Sequence, residues 1–139
     1  MKRFLIAIAS VLSITTATVA LPASSFAQVS NIKEISANLP KTRVSFKKGT
    51  SSANIQGASN KIYLLRANAG QKMTIKINSL GARASVTLYG VDGKPMSQAI
   101  TGFDKQTVFT FNLPKTGDYS IVGGAGPTNH FYDFTVSIK

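Results

Sequence analysis

Met73-Thr74-Ile75-Lys76-Ile77-Asn78 alternates apolar and polar side chains without a break, and this alternation decides the fold. A period of two is strand arithmetic, with one face buried and the other wet. The same pattern recurs outward along the chain: Val86 and Leu88 flank Thr87, Phe109, Phe111 and Leu113 enclose Thr110 and Asn112, and Phe134, Val136 and Ile138 enclose Thr135 and Ser137. Shorter segments of this kind lie at residues 43–46, 53–56, 62–66 and 119–122. Turn signals separate them at Lys48-Gly49, Gln56-Gly57, Ala69-Gly70, Asp92-Gly93 and Thr116-Gly117, with a glycine-rich cluster at residues 123–127. Eight short strands punctuated in this way predict an all-β chain, an antiparallel β-sandwich of jelly-roll type. No segment after Pro40 carries a helical period.

The first 27 residues read differently. Lys2 and Arg3 precede an apolar run from Phe4 to Leu12 that fades toward Ala20, Pro22 breaks it, and Ser25-Phe26-Ala27 places small residues where a signal peptidase inspects them. The pattern predicts an export signal over residues 1–27, a mature start at Gln28 and a periplasmic or secreted protein. A spanning helix is disfavoured, because Ser10, Ser13, Thr15, Thr16 and Thr18 interrupt a run already short of the roughly 20 apolar residues it needs. Residues 28–40 lack periodicity and read as a tether with one helical turn around Ile32 and Ile35, leaving residues 41–139 as the folded domain. The chain has no cysteine, so stability must come from packing and a lipid-modified N-terminal cysteine is excluded.

The full chain carries 16 Lys and Arg against five acids, a net charge of +11. Removal of Lys2 and Arg3 with the leader leaves 14 against five, about +9. Nucleic acid is not the expected partner, because the basic residues are scattered singly over outward strand positions and turns of an exported protein. The charge favours an anionic envelope glycan, a lipid headgroup or an acidic protein.

Catalytic and metal chemistry lack their residues. His130 is the single histidine, and the carboxylates Glu34, Asp92, Asp104, Asp118 and Asp133 are widely spaced, so no metal or cofactor site is expected. No Gly-x-Ser-x-Gly elbow is present. Asp92 and Asp118 are explained by turn chemistry rather than as a glycosidase pair. A stacking platform for sugars is also poorly supplied: there is no Trp, and Tyr63, Tyr119 and Tyr132 fall in step with buried neighbours, leaving Tyr89 as the exposed candidate.

Val44-Ser45-Phe46-Lys47-Lys48-Gly49-Thr50-Ser51-Ser52-Ala53, then Gly57, Tyr63, Ala69-Gly70-Gln71-Lys72-Met73 and Leu113-Pro114-Lys115-Thr116-Gly117-Asp118-Tyr119 together resemble the bacterial pre-peptidase C-terminal domain and its single-domain relatives. The pattern is also similar to the periplasmic inhibitors of goose-type and invertebrate-type lysozymes, and the run over residues 46–53 is closest in kind to the goose-type inhibitors. The resemblance covers nearly all of residues 43–139. It implies a small β-sandwich without catalysis, in which a loop enters the lysozyme cleft. By position that loop is Thr116, Gly117, Asp118 and Tyr119, with Thr116 where the inhibitor pattern has serine.

The same four residues also have a purely structural reading, as a tight turn with Gly117 at positive φ and Tyr119 packing in register with Ile121. A second binding edge is expected at Asn129 and His130, beside the glycine-rich cluster. Two functions follow as expectations: an exported inhibitor of a cell-wall hydrolase, its partner a lysozyme, or an accessory module binding surface glycan or another exported protein.

Overall fold

The computed structural model describes residues 31–124 and 131–139. The expected signal over residues 1–27 and the expected edge at Asn129 and His130 lie outside the described residues. Nine strands are present: β1 (Lys41–Arg43), β2 (Ser52–Gly57), β3 (Lys61–Ala67), β4 (Lys72–Leu80), β5 (Ser85–Tyr89), β6 (Ile100–Thr101), β7 (Val108–Asn112), β8 (Gly117–Gly124) and β9 (Tyr132–Ile138). They form a five-stranded sheet in the order β1-β3-β8-β5-β6 and a four-stranded sheet in the order β2-β9-β4-β7. Strands β2 to β5 alternate between the sheets and β7 to β9 do so again, which is the winding of an eight-stranded jelly roll.

Two local expectations are corrected. The first strand is Lys41–Arg43 rather than residues 43–46, and it adds to β3 in parallel, pairing Lys41 with Ile62 and Arg43 with Leu64. The Val44 N–H still reaches the Leu64 carbonyl at 2.8 Å, after which the chain leaves the sheet and Phe46 packs against the core. Strand β6 has only two residues, too few for a period to show, and it supplies the eighth jelly-roll strand while β1 is the addition.

The alternation read from sequence builds the core. Met73 and Ile75 of β4, Val86 and Leu88 of β5, Ile121 of β8, and Phe134 and Val136 of β9 are fully buried between the sheets. Tyr63, Tyr132 and Phe134 form an aromatic cluster with ring centroids 6.1 to 6.2 Å apart. The Tyr132 hydroxyl donates to the Ser59 carbonyl at 2.9 Å and therefore accepts the Tyr63 O–H, also at 2.9 Å. Burial, followed by the Tyr63 hydrogen bond, pushes the Tyr132 phenol well above its ordinary value of 10.0. Its contribution to stability is therefore complete below pH 10 and is lost as pH rises beyond that, because only the unfolded chain ionises there. Chemical denaturation between pH 8 and 11 should show a falling alkaline limb that is flattened in Tyr132→Phe. That variant should also lose about 1–3 kcal/mol at neutral pH by stranding the Ser59 carbonyl.

The outward face of the five-stranded sheet departs from simple alternation. Ile62 and Tyr89 point away from the core, yet they are 0% and 4% exposed, so the expectation of an exposed Tyr89 is corrected. The reason is the segment that precedes β1. It forms the expected helical turn, α1 (Ile32–Ile35), capped by the Asn31 side chain accepting from the Lys33 N–H, and a 3-10 turn follows at Ser36–Asn38. The Ile32 N–H bonds the Gly93 carbonyl at 2.8 Å, and the Ile62 N–H bonds the Pro40 carbonyl at 2.9 Å. Fastened at both ends of the sandwich, residues 31–40 cross this face with Ile32 and Leu39 half-buried. No helix of the described residues is long and apolar enough to cross a membrane.

Candidate functional site

Strand pairing brings the separate sequence motifs to one end of the sandwich. Gly117 opens β8 opposite Ala67, so the turn ahead of β8 lies beside the turn between β3 and β4. There Thr116 Oγ1 accepts the Ala69 N–H at 2.9 Å. The Gly70 N–H bonds the Leu113 carbonyl at 2.8 Å, and the Ile138 N–H bonds the Ser51 carbonyl at 2.9 Å, which draws in the loop ahead of β2. The motifs over residues 46–53, 69–73 and 113–119 therefore share one surface, although the sequence separates them.

Each of the four expected loop residues has a definite place. Thr116 is exposed and spends its hydroxyl oxygen on Ala69. Gly117 has the expected positive φ, +156°, a conformation that residues with a side chain rarely adopt, and a Cβ there would also approach Val91 Cγ1 to 2.8 Å. Asp118 is half-buried and bound at both carboxylate oxygens by Arg43, each at 2.9 Å. Tyr119 is 1% exposed, points into the core, donates from its hydroxyl to the Lys115 carbonyl at 2.6 Å and accepts the Lys115 N–H at 3.2 Å. The hydroxyl thus clamps the turn from within. Pro114, Lys115 and Thr116 are the positions this clamp presents to solvent.

Two clefts flank the turn. One of about 270 Å³ is lined by residues that include Val91, Asp92, Lys94, Met96, Lys115 and Tyr119. The other, about 440 Å³, lies among Phe46, Thr50, Arg66, Asn68 and Gln71. Lys94 and Lys115 rim the first and Arg66 the second, with Asp92 and the paired Asp118 as the acids. This end is therefore net basic.

The Arg43 guanidinium, through its hydrogen bonds, holds the Asp118 carboxyl below the ordinary aspartate value of 3.8. A depressed carboxyl contributes stability above its unfolded pKa and loses it as pH falls through the folded value. A carboxyl-carbon NMR titration should place Asp118 below 3.8 in the wild type, and Arg43→Gln should return it toward that value. An unchanged midpoint in the variant would mean that the pair is not formed in solution.

Arg43, Arg66, Lys94 and Val91 were not singled out from sequence. Arg43 lies 75 residues from Asp118, and no local pattern links them. Among the described residues, no group of three or more His, Cys, Asp or Glu side chains could hold a metal ion.

The described residues thus define a jelly-roll protein with one end built from interlocked turns and rimmed by basic side chains. Solved structures are similar to it. Aeromonas hydrophila PliG, a periplasmic inhibitor of g-type lysozyme, superposes with a TM-score of 0.57 at 27% sequence identity, over 73% of this chain and 97% of that one. Salmonella Typhimurium PliG, with the same description, gives 0.53 at 24% identity over 72% and 98% of the two chains. A mutant of Escherichia coli PliG gives 0.51 at 22% over 73% and 99%, and these last two establish the fold. No protein-family model matches the sequence, and no curated protein matches it. The chain is thus similar to periplasmic inhibitor proteins, a likeness that supports a periplasmic location.

Proposed function

We propose that this protein inhibits a g-type lysozyme in the periplasm by inserting the end of the sandwich that carries Thr116, Gly117, Asp118 and Tyr119 into the enzyme cleft. The observation that carries the reading is the likeness to Aeromonas hydrophila PliG over 97% of that chain. Charge supports it, because glycoside hydrolases work with paired carboxylates in their clefts and the proposed end presents Lys94, Lys115 and Arg66. In this reading Thr116 and Tyr119 hold the shape of the turn, while Lys115 and the Arg43-Asp118 pair supply its outer contacts. A rigid turn of this kind loses little conformational entropy on binding.

The test is a turbidity assay of cell-wall lysis by goose-, invertebrate- and chicken-type lysozymes with the purified protein. Stoichiometric inhibition of the goose type, weakened by Thr116→Ala in a variant that still folds, is the expected result. Tyr119→Ala is unsuitable for this purpose, since it empties a core position. Absence of inhibition of every class at micromolar protein would sink the proposal and leave an accessory module that binds surface glycan or another exported protein.

A further inference from the structure

The described residues expose five large apolar side chains, Ile35, Val91, Phe103, Val108 and Phe131. Two of them, Phe103 and Phe131, lie at the end of the sandwich opposite Thr116, where β4 passes to β5 and β6 to β7. Phe103 is 80% exposed and Phe131 47%. Their loops adjoin. A Cβ on Gly102 would come within 3.0 Å of the Leu80 carbonyl oxygen, and the Gly81 N–H bonds the Phe131 carbonyl at 2.8 Å.

The loop that carries Phe103 is held rather than slack. The Asp104 carboxylate accepts the Thr101 N–H at 2.6 Å and the Thr101 hydroxyl at 3.1 Å, and the Asp104 N–H returns to the Thr101 carbonyl at 3.1 Å. Gln106 donates to the Val108 carbonyl at 2.6 Å. These bonds spend the one acid of the loop on its own backbone and turn the phenyl ring outward. The neighbouring cations, Arg83 in the turn between β4 and β5 and Lys105 beside Asp104, are exposed, and among the described residues neither makes an ion pair.

We infer that this end is a membrane-surface anchor, in which Phe103 and Phe131 enter the headgroup layer of an anionic bilayer while Arg83 and Lys105 meet its phosphates. Aromatic tips rimmed by cations are the composition of interfacial anchors, and exposed apolar patches of this kind mark interaction sites. The charge complementarity selects the lipid: without its leader the chain carries a net charge of about +9 and is drawn to an anionic surface. The side chains project from separate loops, a form that suits a deformable surface. Docked in this way, the protein points Thr116 and its clefts away from the bilayer.

The test uses protein purified from the periplasm, co-sedimented with phosphatidylglycerol vesicles and with phosphatidylcholine vesicles at low and high salt. Binding to the anionic vesicles, weakened by salt and reduced about tenfold or more in Phe103→Ala/Phe131→Ala and in Arg83→Glu/Lys105→Glu, is expected. Circular dichroism controls for folding. No binding to anionic vesicles, or equal binding by the phenylalanine variant, would overturn the inference. Loss of lysozyme inhibition in that variant without any vesicle binding would overturn it too, by making the patch a protein contact.

Discussion

Replacing Gly123 with alanine is expected to destabilise the fold by about 3 kcal/mol, with a fall in Tm of roughly 12 °C or more. The cause is the Tyr132 ring. A Cβ on Gly123 would lie 2.7 Å from Tyr132 Cε1 and 2.8 Å from its hydroxyl oxygen, and on the other side a Cβ on Gly57 would lie 2.7 Å from Cε2. The ring is packed against two strands that approach it with bare backbone, so it cannot retreat from one without striking the other. Displacing it also breaks the hydrogen bonds to Ser59 and Tyr63, which adds the cost of unpaired buried groups to that of overpacking. Gly49→Ala is the control. Nothing lies within 4 Å of its Cβ position and the penalty comes only from φ +81°, so about 1 kcal/mol is expected. Thermal unfolding of both variants decides the matter, and a Tm for Gly123→Ala as high as that for Gly49→Ala would refute the packing argument.

The largest effect on function is expected from Lys94→Glu with Lys115→Glu. Both lysines rim the cleft beside the Thr116 turn, and both are exposed, so reversal leaves the core alone. If the basic end meets the carboxylates of an enzyme cleft, each reversal replaces an attraction by a repulsion. Together they should weaken inhibition about 100-fold, or about 2.8 kcal/mol. Lys76→Glu, on the outer face of the four-stranded sheet, changes net charge by as much as either single reversal and should leave inhibition near the wild-type value. Inhibition constants measured at two ionic strengths separate the cases: the wild type should lose affinity with salt and the double variant should lose less. Equal weakening by Lys76→Glu would mean that overall charge, rather than this end, governs binding.

The core was legible in the sequence because its signal is local. Met73, Ile75 and Ile77 against Thr74, Lys76 and Asn78 need only their immediate neighbours to be read, and the same holds for Phe134, Val136 and Ile138. The failures have their own causes. Two residues of β6 cannot show a period of two. The first strand starts two residues before the stretch that composition marks, because its edge is set by parallel pairing with β3, 21 residues further on. Alternation places Tyr89 in water because it assumes that an outward face is solvated, whereas residues 31–40 lie across that face.

The candidate site divides in the same way. The turn over residues 116–119 was evident from Thr116-Gly117 and from its resemblance to the inhibitors, but its inner bonding was not. Tyr119 anchors the turn from the core, Arg43 binds Asp118 across the sheet, and Val91 closes over Gly117. Sequence by itself determined the all-β class, the buried faces of the main strands, the lack of disulfides and the excess of positive charge, since each follows from composition or from residues two apart. Only the tertiary structure decided which turns share an end, which charges are paired and which aromatics remain in water. Those follow from hydrogen-bonded pairing between strands far apart in the chain, and the free energy of that pairing depends on partners that no local stretch contains.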